Sequence, residues 1–141
     1  MRIKEIMNYV KIKVSEYPKI DSIIEGLELN KEIENNRDIN SYIQSKNKIS
    51  RTVEVQAIKN VNIDKKIKEY KKWKEIIKKE LEELKETDNE VYKIVVFKFT
   101  GYSFEKIKDE LYLGERTVVN LYNDFIVEIS LLAIKNGIIN I

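Results

Sequence analysis

An all-α fold is predicted by three observations. The chain of 141 residues contains one proline and four glycines, so it has few points at which a helix must break. Ile, Lys and Glu dominate its composition. Its apolar residues recur at spacings of three and four rather than in alternation, which is the period of one helical face. The expected architecture is a set of N-terminal helices, then one long central helix, then a C-terminal helix-turn-helix domain. The corresponding segments are 1–60, 61–87 and 88–141.

Residues 3–17 place Ile3, Ile6, Met7, Val10, Val14 and Tyr17 on one side of an amphipathic helix. Pro18 ends it or opens the next. Residues 19–28 continue the pattern through Ile20, Ile23, Ile24 and Leu27, with Gly26 as a weak point. Residues 29–49 are polar and Asn-rich and read as a loosely ordered connector with room for one short helix. Ser50 is positioned to cap a further helix, with Glu54 just inside it. Residues 62–86 give the strongest helical period: Ile63, Ile67, Tyr70, Trp73 or Lys74, Ile77, Leu81 and Leu84. Eight lysines fall between positions 65 and 79. They are the solvated side of that helix or, alternatively, a phosphate-contacting or self-associating surface on which Tyr70 and Trp73 stack on a base.

Thr87-Asp88-Asn89 form a break and cap, and a helix follows over 90–100 with Val91, Ile94, Val95, Phe97 and Phe99. Gly101 suits the left-handed position past a helix end. Ser103 then caps a short helix, with Glu105 in its first turn. Phe104, Ile107 and Leu111 fall on one side of it. Leu113-Gly114 make a tight break, and a last helix runs from 115 to about 135. Its inner side carries Val118, Leu121 or Tyr122, and Phe125. Asn136-Gly137 end it, before an apolar tail at Ile138–Ile141 that needs either its own protein or a partner to cover it. Two helices joined by a short glycine-containing turn are the arrangement that sets a second helix into the DNA major groove.

Composition excludes several function classes. There is no cysteine and no histidine, which removes disulfides, thiolate metal sites and the commonest general base. With no Gly-rich phosphate loop and no distinctive carboxylate pair, an enzyme is not expected, and neither is a cofactor or a metal site. No apolar run approaches a membrane span, and the charged start Met1-Arg2-Ile3-Lys4-Glu5 is unlike a signal peptide, so a cytoplasmic protein is expected. Net charge is +2 but uneven: residues 88–141 hold six basic and eight acidic side chains. A nucleic-acid binder ordinarily shows a basic footprint, so this third must read DNA with little phosphate attraction of its own.

The order of three features resembles a known family. Ser50-Arg51-Thr52-Val53-Glu54-Val55-Gln56-Ala57-Ile58 precedes the long Lys/Glu helix, and the Val91–Tyr122 helix-turn-helix follows. This is similar to the ArpU/RinA-type phage transcriptional regulators, over roughly residues 50–130. The resemblance implies a small cytoplasmic regulator of late genes in a temperate phage of Gram-positive hosts. The C-terminal part also resembles sigma-factor region four, which reads the promoter −35 element. The chain departs from these patterns in having Gly114 where a Ser cap is frequent, and acidic Asp124 and Glu128 where basic residues are frequent.

The expected function is therefore sequence-specific DNA binding in transcription regulation, with double-stranded DNA as partner. Base reading would fall to Glu115, Arg116, Thr117, Val119, Asn120 and Asn123. Arg pairs bidentately with guanine and Asn with adenine; Glu accepts from cytosine N4, and Val and Thr methyls touch the thymine methyl. Phosphate contacts would fall to Lys98, Ser103, Lys106 and Lys108. The weak electrostatics call for a homodimer or higher oligomer, or for help from RNA polymerase. The Ile63–Leu84 stripe, the helix at 3–17 and the Ile138–Ile141 tail are the self-association surfaces the sequence offers. The alternative is a helix-turn-helix assembly protein, terminase-small-subunit-like or polymerase-binding.

Overall fold

The computed structural model describes the backbone of residues 2–44 and 49–140, and side chains outside 34–60. Among the described residues there is no strand; the chain is helical almost throughout. The helices are α1 (Ile3–Glu16), α2 (Ile20–Gln44), α3 (Ile49–Thr87), α4 (Asn89–Phe99), α5 (Phe104–Leu111) and α6 (Glu115–Lys135). A single 3-10 turn, Tyr17–Lys19, holds Pro18 between α1 and α2.

Two compact units emerge. One comprises residues 19–71. In it Ile20, Ile24 and Ile67 are buried, and the Lys31 ammonium meets the Asp64 carboxylate at 2.8 Å. That ion pair is solvent-exposed, so it adds at most about 1 kcal/mol. The other comprises residues 1–18 and 72–141. This division differs from the three segments read from sequence. The N-terminal helix belongs with the C-terminal part, because Ile6, Val10 and Val14 are buried and α1 packs against α6. Such a contact joins chain ends and leaves no local trace.

Two corrections concern the middle of the chain. Residues 29–44, expected as a loose connector, continue α2 to Gln44, and α3 begins at Ile49; residues 45–48 of that expected connector lie outside the described residues. Ser50 therefore lies within the first turn of α3 rather than ahead of a separate helix, and the side chains of its segment fall outside the described residues. The expected helices at 50–58 and 62–86 are one helix of 39 residues. The reason is visible in hindsight: between Gly26 and Gly101 there is neither glycine nor proline. Asn lowers helix propensity only slightly, so nothing in 29–49 forces a stop.

The second unit has α6 at its centre, packed by α1, α4 and α5. Val118, Tyr122, Phe125, Ile126, Ile129 and Ala133 form its buried side. Trp73, Ile77 and Leu81 of α3 and Val91, Ile94 and Val95 of α4 are buried as well. Trp73 is fully buried, so it takes the place in the apolar stripe rather than the alternative of stacking on a base. Its indole meets the Tyr9 ring edge-on, with centroids 6.0 Å apart. Ile3, expected on the buried side of α1, is instead 78% exposed. The tail turns back on its own unit: the Ile138 and Ile139 amides donate to the Ala133 carbonyl, and Ile139 is buried.

α6 also amends the reading of apolar runs. At 21 residues it is long and apolar enough to cross a membrane by length and composition. Its buried side serves the core of this unit, and the core helix of a globular domain satisfies the same measure.

Candidate nucleic-acid interface

Local sequence fixes α5 and the start of α6. Asp88 caps α4 by accepting the Val91 amide at 3.4 Å. Gly101, at φ +89°, reverses the chain after α4. The Ser103 hydroxyl then accepts the Lys106 amide at 3.2 Å and opens α5. Ser103 thus holds a structural bond at the position expected to meet a phosphate. Ile107 is fully buried, while Phe104 is half-buried and meets the Tyr122 ring at 5.5 Å.

The break read at Leu113-Gly114 is a three-residue turn between α5 and α6 whose left-handed residue is Tyr112 (φ 55°, ψ 40°). Gly114 is the N-cap of α6 in extended geometry, and it offers no side-chain oxygen. Left-handed backbone costs an L-residue about 1–2 kcal/mol, and the Tyr112 side chain is 94% exposed, so packing recovers little of that. Tyr112→Gly is expected to stabilise the protein by about 0.5–1 kcal/mol. Tyr112→Val should destabilise it, because a β-branched residue tolerates this conformation least. Chemical denaturation checks both; a less stable glycine variant would refute the strain.

The proposed reading residues divide into three groups. Arg116, Thr117 and Asn120 are exposed and lie on one face of the first two turns of α6, opposite buried Val118 and Tyr122. Glu115 is exposed in the first turn, away from that face. Val119 and Asn123 are half-buried at its margin. Of the three inner positions considered, Val118 and Phe125 are buried, and Tyr122 is buried in preference to half-buried Leu121. Burial raises the Tyr122 phenol above its ordinary value, so it stays neutral.

The expected phosphate contacts are partly engaged already. The Lys98 ammonium sits 4.2 Å from the centre of the Phe104 ring and 6.0 Å from that of Tyr122. The Lys106 ammonium sits 4.0 Å from the centre of the Tyr102 ring, which stacks on Phe97 at 5.0 Å. These rings steady two cations at the α4–α5 corner. Lys108 is half-buried, and its carbonyl accepts the Leu113 amide at 3.1 Å. Asp124 and Glu128 continue the exposed face beyond Asn120, so they do not lie on the far side of the domain from the reading residues.

A concavity of about 500 Å³ lies between residues 72–83 of α3 and 132–138, lined by Lys79, Glu80, Glu83 and Lys135 among others. Partial burial and the charges of Glu83 and Glu128 hold the Glu80 carboxyl above its ordinary value. A raised carboxyl pKa means that ionised Glu80 disfavours the fold at neutral pH; this penalty shrinks as pH falls below the folded-state value and is gone below the unfolded-state one. Glu80→Gln is thus expected to be more stable than the parent at neutral pH, with the difference shrinking on acidification. Urea denaturation at neutral and mildly acidic pH measures it; a pH-independent difference would argue against the charge origin. Among the described residues no group of acidic side chains is arranged to hold a metal ion.

No family model matches this chain, and neither the curated proteins nor the solved structures contain a match to it.

Proposed function

We propose that the chain is a sequence-specific DNA-binding transcription regulator that reads the major groove with the N-terminal half of α6. The observation that carries this is the exposed Arg116, Thr117 and Asn120 cluster, borne on a helix whose opposite side is buried and which follows α5 after a three-residue turn. Arg and Asn at this spacing supply bidentate donors and acceptors for guanine and adenine. Lys98 and Lys106, steadied over aromatic rings beside this helix, supply phosphate contacts. The finer reading, a cytoplasmic regulator of phage late genes, rests on the resemblance to the ArpU/RinA type. One observation favours a second reading, a polymerase-binding or assembly factor: exposed Asp124 and Glu128 carry negative charge along the same helix face.

A shift assay on the intergenic DNA flanking its own gene, run at two salt concentrations, tests the proposal. Specific retardation that survives the higher salt supports it. Retardation that is absent, or equal on unrelated DNA, would favour the protein-contact reading.

A further inference from the structure

The three self-association surfaces read from sequence are largely consumed within the fold. Ile6, Val10 and Val14 of α1, Ile67, Trp73, Ile77 and Leu81 of α3, and Ile139 of the tail are all buried. An apolar face that none of those readings included remains open. Val127 is 41% exposed and Leu131 57% exposed, four residues apart on α6.

We propose that this face of α6, centred on Leu131, receives a second copy of the chain, with the two α6 helices antiparallel about a twofold axis. Charge complementarity identifies the occupant. Glu128 and Lys135 are exposed and flank Leu131 at three and four residues, on the same side of the helix. When the helix is laid antiparallel on itself at Leu131, Lys135 of each copy comes opposite Val127 and Glu128 of the other. The contact is self-complementary, as a twofold interface must be.

The contact uses the C-terminal half of α6 and leaves the first two turns, with Arg116 and Asn120, clear of the partner's α6, so it goes beyond the DNA-binding reading and stands without it.

The absence of cysteine makes the contact directly testable. Helix axes 8–10 Å apart place facing Cα atoms within about 6 Å, inside disulfide reach. Leu131→Cys is expected to cross-link into covalent dimers under mild oxidation, while Ile12→Cys, on exposed α1, stays monomeric. Sedimentation of the parent chain without DNA, from micromolar to submillimolar concentration, should show mass rising from one chain to two. Leu131→Glu should stay at one chain with unchanged helix content. A parent that remains one chain throughout, a Leu131→Glu variant that associates like the parent, or Leu131→Cys that cross-links no better than Ile12→Cys would each overturn the interface. A dimer that ignores DNA leaves the interface standing and removes the DNA reading; a monomer that binds DNA specifically does the reverse.

Discussion

Trp73→Ala is expected to cost about 3–5 kcal/mol, the range for emptying the site of a large buried aromatic. Trp73 is fully buried where α3 meets Tyr9 of α1, so the change removes a fully buried ring and leaves a cavity. A domain of ordinary stability holds about 5–15 kcal/mol in all. The melting temperature should therefore fall by roughly 10–20 °C. Trp73→Phe separates volume from polarity. The buried indole N–H has no hydrogen-bond partner, so removing it relieves a desolvated donor while keeping most of the ring. Trp73→Phe should thus cost much less than Trp73→Ala. Thermal denaturation followed by circular dichroism measures both, and an alanine variant within 1 kcal/mol of the parent would contradict the packed core.

The second large effect concerns recognition. Arg116→Ala should weaken binding to the specific site by about 1–3 kcal/mol and relax the preference at one base pair. Asn120→Ala should do the same at a neighbouring position. Both side chains are exposed, so neither change should disturb folding. If these residues read bases, the salt dependence of binding should stay as it is. Lys98→Ala should instead weaken binding on all sequences and shallow the salt slope by about one. It also loses its contact with Phe104, so its melting temperature has to be measured alongside. Titration of labelled DNA at several salt concentrations resolves the two patterns. If Arg116→Ala and Asn120→Ala both bind the specific site like the parent, α6 is not the reading helix.

Short-range features were the legible ones. Ser103 as a cap, Gly101 in the left-handed region, and Ile107, Val118 and Phe125 as buried positions all follow from interactions within four residues. The choice between Trp73 and Lys74, and between Leu121 and Tyr122, depended on which neighbour arrives from elsewhere in the chain. Period alone leaves a helix free to rotate by half a residue step. Residues 29–44 have the polar composition of a connector, yet the absence of Gly and Pro after Gly26 is the stronger physical signal, and they are helical. Tyr112 in a left-handed turn had no local mark, since Gly114 two residues later is the usual occupant of such a conformation. Of the six reading residues proposed from sequence, the fold leaves Arg116, Thr117 and Asn120 on the open face, because burial of Tyr122 rotates Val119 and Asn123 to its edge.

The burial of Trp73 also has a spectroscopic consequence. It is the chain's one tryptophan, and the reading face carries none, so intrinsic emission should ignore the arrival of DNA and shift to the red only when the core opens. Folding and recognition can then be followed in the same cuvette without interference: ultraviolet-excited emission reports whether the domain is intact, and the anisotropy of a dye on the duplex reports whether it is bound.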